Sequence, residues 1–245
     1  MLFLAMVFHA PLQSWGAVNL PESNSASPRK THLFPTKSAV IGLLRSALGV
    51  ERGYGDELDL DSLRILSRAD RVGRVQRDYQ ISQRTHHGFN AGTTKEIPKM
   101  FLEESTFVVL VGHKDTAVVE KLSNAIQNPE WAPFFGRRAH VPSLPISLGT
   151  ATSEDPRALL QELPVFWGEE ERWLAEKTVP TYDSVGQGSD RPEVVIDQPV
   201  SFHPRDRNYT ERTHYVFNTK AQREPKKLSI VEQYIEIRKA LINVH

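Results

Sequence analysis

From Leu2 to Phe8 every position is apolar, and Pro11 follows three residues later. A continuous apolar run of that length predicts a strand buried on both faces. A polar stretch rich in Ser and Pro, from Asn19 to His32, predicts a surface loop. In FPTKSAVIGLLRSALGV (34–50), Val40, Ile41, Leu43, Leu44, Ala47 and Leu48 recur at helical spacing up to Gly49, with Thr36 or Ser38 placed to cap the first turn. Arg71 to Gln80 alternates as a strand with a basic face, and Thr106 to Val111 is a second apolar strand. After it, Ala117, Val118, Leu122, Ala125 and Ile126 mark one face of a helix, and Ile146 to Thr150 supplies a fourth strand. Between the second and third strands lies ISQRTHHGFNAGTTKEIPK (81–99), too polar for a core and too long for a tight hairpin turn. Strand, helix, strand, strand, helix, strand is the split arrangement that RNA-recognition modules share. The fold class expected is therefore α+β, with a ferredoxin-like (RRM-like) βαββαβ unit over residues 1–152.

Past residue 152 the pattern weakens. Residues 153–192 are acidic and turn-rich, Glu193 to Phe202 and Thr213 to Phe217 read as a pair of strands, and Leu228 to Val244 as an amphipathic helix behind the basic linker KAQREPKK. This second part, 153–245, is expected to pack on the first as an extension containing a β-hairpin.

Composition narrows the class. The 245 residues are 39% hydrophobic and 24% charged, as in an ordinary soluble globular protein. Cysteine is absent, which removes disulfides, thiol catalysis and thiolate metal sites and fits a reducing cytoplasm. The N-terminal apolar run lacks a basic leader and a small-residue cleavage site, and it is far shorter than the roughly 20 residues of a membrane helix. No membrane partner is expected.

The 30 basic and 30 acidic residues balance, so a polyanion must be held by local patches. From Arg64 to Arg84, Arg at 64, 68, 71, 74, 77 and 84 stands against Asp70 and Asp78, a local excess of four positive charges. Arg29-Lys30, Arg137-Arg138 and Arg205 with Arg207 and Arg212 form further clusters, whereas acid gathers between Glu162 and Glu176.

The corner after the first strand, Pro11-Leu12-Gln13-Ser14-Trp15-Gly16, carries more chemistry than a turn needs. Pro and Gly make the turn. At the end of an open sheet beside a helix N-terminus, Trp15 could stack on a base while Gln13 and Ser14 hydrogen-bond to RNA. In the other reading Trp15 plugs the end of the sheet.

APLQSWG (10–16), FPTKSAVIGLLRSALGV (34–50), RDYQ (77–80), FFGRRAHVPSLPISLG (134–149) and FHPRDRNYTERTHYVF (202–217) occur in the order and approximate spacing of the CasD family, which the chain resembles over most of its length. That family is the subunit of type I-E CRISPR Cascade that holds the 5′ handle of the CRISPR RNA. The resemblance implies a palm carrying a thumb hairpin, here the insert at about 81–99, which grips the repeat-derived handle. The chain would be a non-catalytic, cytoplasmic component of the antiviral ribonucleoprotein, one copy per complex, with the crRNA and the backbone and large subunits as partners. Carried over by motif, Gln13, Ser14 and Trp15 would lie near the handle, Lys37 and Arg45 on the first helix would face it, and Arg74, Arg77 and Tyr79 would come from the strand below the thumb. Arg84, Lys95 and Lys99 would belong to the thumb, and Arg137 and Arg138 to a basic loop. Arg suits such a site because it contacts phosphate bidentately and stacks on bases. The chain departs from the family at Ala10, where Gly is commoner, and in a longer segment after Phe217.

Some relatives cut repeat RNA with a His general base. His9 lies near the corner, and His86-His87 lie in the insert with Tyr79 nearby, a poorly held arrangement for proton abstraction. The resemblance assigns processing to another subunit. Metal and cofactor sites are not expected: there is no HExxH and no His-x-x-x-His pair, and Gly186-x-Gly188 follows no strand. A metal-independent repeat endoribonuclease and a protein-only scaffold are the alternatives.

Overall fold

The computed structural model describes residues 1–16, 30–51, 58–83, 94–96, 98–167, 176–203, 206–222 and 228–243. The chain opens with β1 (Leu2–His9), turns through the short strands β2 (Leu12–Gln13), β3 (Trp15–Gly16) and β4 (Thr31–His32), and enters α1 (Lys37–Ala47). It continues through β5 (Arg64–Arg71), β6 (Arg74–Asp78), β7 (Ile81–Gln83), β8 (Thr94–Glu96), β9 (Lys99–Glu103) and β10 (Thr106–Gly112) to α2 (Thr116–Gln127). The remaining elements are β11 (Ser147–Thr152), α3 (Pro156–Glu162), β12 (Glu176–Asp183), β13 (Arg191–His203), β14 (Asp206–Gln222) and α4 (Ile230–Asn243).

One seven-stranded sheet runs β11-β1-β10-β5-β12-β14-β13, with neighbours antiparallel. Strand β1 is apolar throughout because both of its faces are covered. Leu4, Met6 and Phe8 join the core with α1 and α2, while Phe3, Ala5 and Val7 join a second core with Leu159 and Leu160 of α3 and Tyr234, Ile237 and Leu241 of α4. The result is an α+β body of three layers. Thr36 Oγ1, not Ser38, caps α1 by accepting from Ala39 N–H, and Asp115 caps α2 in the same way.

The strand expected at Arg71 to Gln80 is not a strand of the main sheet. That place belongs to β5, whose Ser67, Arg68 and Asp70 are buried polar residues that hide it from an apolar pattern. Arg68 meets Asp70 at 2.6 Å, donates to the carbonyls of Leu160, Leu163 (2.7 Å) and Pro164 (2.8 Å), and Asp70 accepts from Phe166 N–H at 2.9 Å. Each buried charge is thus matched by its partner and by backbone dipoles. The turn-rich reading of 153–192 also gives way in part: it holds α3 and β12, and β12 pairs Thr181 to Asp183 with Leu66 to Arg68, so the main sheet runs on into the C-terminal part.

Candidate nucleic-acid interface

The corner after β1 is interior. Trp15 is 1% exposed, with its ring 5.5 Å from Phe8, 5.6 Å from Phe135 and edge-on to Phe107 at 6.3 Å. No ring face remains for a base. Gln13 is buried and donates Nε2–H to the carbonyls of Phe8 (3.2 Å) and Ser105 (2.8 Å), joining the end of β1 to the start of β10. Ser14 is buried as well, its N–H on Phe135 O at 3.0 Å. The expectation that these side chains face RNA is corrected by their burial: Gln13 ties the corner to β10, while the Ser14 backbone and the Trp15 ring tie it to Phe135 of the Phe134–His140 loop.

That loop is built around Gly136, whose φ of +86° and close approach to Ser14 exclude a side chain. Beyond it, Arg137 is half-buried and donates Nη2–H to Met100 O at 2.7 Å, which ties the loop to the edge of β9. Arg138 is exposed and without an ion-pair partner among the described residues. His140 folds under the loop against Phe101, and burial holds its pKa below the ordinary value.

Beside this loop a ribbon leaves the main sheet, three-stranded at its root, where β2 pairs with β9 through Leu12↔Glu103 and Gln13↔Leu102, and two-stranded beyond. The pairs Arg71↔Thr106, Arg74↔Glu103, Asp78↔Lys99, Ile81↔Glu96 and Gln83↔Thr94 keep one register, so β6–β7 and β8–β9 are one hairpin continuing β5 and β10 outward. Pro98, without an N–H, sits where the ladder is interrupted. Ten residues from Arg74 to Gln83 reach about 33 Å at strand rise. The root is fixed by Gly73, with φ +73° and no room for a side chain against Glu103 O, and by Ser105 Oγ donating to Val72 O at 3.1 Å.

Alternation along the ribbon places Val75, Arg77, Tyr79 and Ile81 on one face and Arg74, Gln76 and Asp78 on the other. Arg74 and Arg77 are both exposed, and Tyr79 is 55% exposed, its hydroxyl donating to Glu96, which raises its pKa. Arg74 and Arg77 therefore stand on β6, a strand of the small sheet β2-β9-β6 that leads into the insert, and Tyr79 follows directly after it. Lys99 is half-buried opposite Asp78. Arg84 and the Lys95 side chain lie outside the described parts, although the Lys95 backbone pairs with Ser82.

Lys37 is placed elsewhere. Its Nζ donates to Asp61 O at 2.6 Å, and it shares the N-terminal end of α1 with Asp197 and Arg212. Asp197 Oδ2 accepts from Ser38 N–H at 3.0 Å, so β13 supplies a carboxylate to the helix N-terminus. His214 and His32 complete this group; burial pushes the His214 pKa down to about 4 and lowers that of His32. Arg45 is in the last turn of α1, eight residues and about 12 Å along the helix from Lys37.

Sequence reasoning missed that Met100 O receives Arg137 and that Gly136 and Gly73 set the loop and the ribbon root. The signal for the ribbon was present in RVQRDYQI: apolar and polar positions alternate although Val75, Tyr79 and Ile81 join no core.

The class of fold is that of solved CRISPR proteins. A chain of a CRISPR RNA-guided surveillance complex superposes with a TM-score of 0.75 at 23% identity, covering 98% of this chain and 99% of that one. A solved Cas protein matches at 0.62 and 26% identity over 91% of this chain and 100% of its own. The model of the family described as CRISPR-associated protein (Cas_Cas5) matches residues 3–215, and the chain belongs to that family. The Cascade subunit CasD of the CRISPR system of Escherichia coli (strain K12) is 29% identical over 180 residues, 66% of this chain and 78% of CasD.

Proposed function

We propose that this chain is a non-catalytic subunit of a type I-E CRISPR Cascade that binds and caps the 5′ handle of the guide RNA. Family membership and the likeness to CasD support the assembly. The observation that carries the binding reading is the ribbon: a paired finger with Arg74 and Arg77 on opposite faces, rooted on the strand whose Met100 carbonyl holds the loop of the exposed Arg138. A strand of RNA passing between finger and loop meets guanidinium groups on both sides, and Tyr79 offers the exposed ring that Trp15 does not.

In this reading β11-β1-β10-β5 with α1 and α2 is a ferredoxin-like palm, residues 1–152, and the ribbon with the segment beyond it is the thumb. Residues 153–245 are an extension packed on the palm. Arg74, Arg77, Tyr79 and Arg138 contact RNA, with Lys99, Lys95 and Arg84 along the thumb. Ser14 and Arg137 hold the loop in place, Gln13 and Trp15 belong to the interior, and Lys37 and Arg45 fall outside the contact set. The partners are the crRNA and the backbone and large subunits, one copy of this chain serving each cytoplasmic complex. His9, the histidine nearest the corner, has Nδ1 on Thr106 Oγ1 at 2.9 Å and its ring on Phe166, which suits structure better than proton transfer.

Titration of the purified chain with a repeat-derived 5′-handle RNA and with a shuffled RNA of equal length, in EDTA, tests this reading. The handle should bind tighter, remain uncut, and lose affinity when residues 82–96 are replaced by a short Gly turn. Equal affinity for both RNAs, or undiminished binding by the shortened chain, would overturn it.

A further inference from the structure

Helix α4 has two apolar faces, and among the described residues only one of them is packed. Tyr234, Ile237 and Leu241 are buried, and Tyr234 Oη–H donates to Ser147 O at 2.7 Å, fixing the helix over the edge strand β11. On the outward side Val231, Ile235 and Ile242 are 53%, 42% and 61% exposed. With Arg238 they fall at i, i+4, i+7 and i+11, the spacing by which one helix seats along another. The face is held rigid by its buried side, so docking requires no ordering of the helix.

We propose that this outward face of α4 is the docking seam for an amphipathic helix of another protein subunit, one that presents apolar side chains to Val231, Ile235 and Ile242 and a carboxylate to Arg238. The proposal rests on the reading of the chain as a subunit of an RNA-guided assembly. Two features favour a different protein over a second copy of this chain. Arg238 is exposed and has no ion-pair partner among the described residues, since Lys239 takes Glu236 at 2.9 Å. Antiparallel pairing of two α4 helices would set Val231 against Ile242 and Ile235 against Arg238, leaving the two Arg238 side chains flanking the two-fold axis as uncompensated like charges. Moreover, four side chains on one helix present much less than the roughly 800 Å² per partner of a stable free-standing interface. The seam therefore suits a complex already held together elsewhere, where a small contact acts at high effective concentration.

The test is a photo-crosslinking residue at position 235, with Glu154 replaced likewise as a control, in the chain co-expressed with the proteins encoded beside it and the guide RNA. The product should join position 235 to an amphipathic helix of one other subunit. Ile235→Asp should lower recovery of the chain in the assembly about tenfold, with the RNA affinity of the isolated chain unchanged. Arg238→Glu should act likewise and be rescued by reversing the charge of the mapped carboxylate. Crosslinks to a second copy, to this chain itself or to RNA alone, or normal incorporation of Ile235→Asp, would overturn the proposal. Absence of guide RNA from the wild-type preparation would instead remove the subunit reading.

Discussion

A Cβ placed on Gly136 would stand 1.8 Å from the backbone oxygen of Ser14, so the basic loop touches the corner after β1 main chain to main chain. The contact joins two segments more than 120 residues apart and sets where Arg137 and Arg138 emerge. Gly136→Ala should therefore lower stability by about 2 kcal/mol or more, from the positive φ together with the clash. Handle affinity should fall with it as Arg138 shifts. Thermal unfolding and RNA titration of the variant check both, and a variant as stable as the parent would show that the loop can move away at no cost.

Trp15→Ala should behave as a core truncation. Loss of the packing against Phe8, Phe107 and Phe135 is expected to cost about 3–5 kcal/mol. RNA affinity per folded molecule should change little. Urea denaturation combined with RNA titration, corrected for the folded fraction, distinguishes this from a stacking residue, for which affinity would fall with stability intact.

Reversal of Arg74, Arg77 or Arg138 to Glu should weaken handle binding and flatten its salt dependence, since each phosphate contact on a single strand contributes about 0.7 to the slope of log K against log salt. Lys121→Glu, an exposed change on α2, should leave the slope alone. Titrations at several salt concentrations make the comparison, and equal effects from all four variants would point to a general field in place of the ribbon and loop.

Stability should decline below neutral pH through His214. Burial holds it at about 4, among Asp197, Arg212, His32 and Lys37, while the unfolded chain protonates it near 6.5. Because the unfolded state binds the extra proton, the stabilisation is complete above pH 6.5 and is lost as pH falls from 6.5 toward 4, at up to about 1.4 kcal/mol per pH unit. His214→Gln should flatten this part of the curve in urea melts at pH 7.5, 6.5, 5.5 and 4.5. An unchanged slope would mean that other groups carry the acid sensitivity.

Local spacing was enough to place β1, β10, α1 and α2, because an element buried on one face or two writes that burial into consecutive residues. The motifs around the corner and the basic loop were legible for another reason: their residue types are unusual for turns. Tertiary structure alone decided between β5 and β6 as the strand beside β10. Arg68 and Asp70 look like surface residues until each is seen to neutralise the other inside the body. It also decided the fate of Trp15, since an indole beside a turn suits a base or a core equally well until Phe135, 120 residues away, closes over it. Periodicity reports only whether a side chain is covered. What covers it is settled by contacts between distant segments, and those contacts turned the predicted RNA-facing corner into the support for Arg138 and moved Arg74, Arg77 and Tyr79 out onto the ribbon.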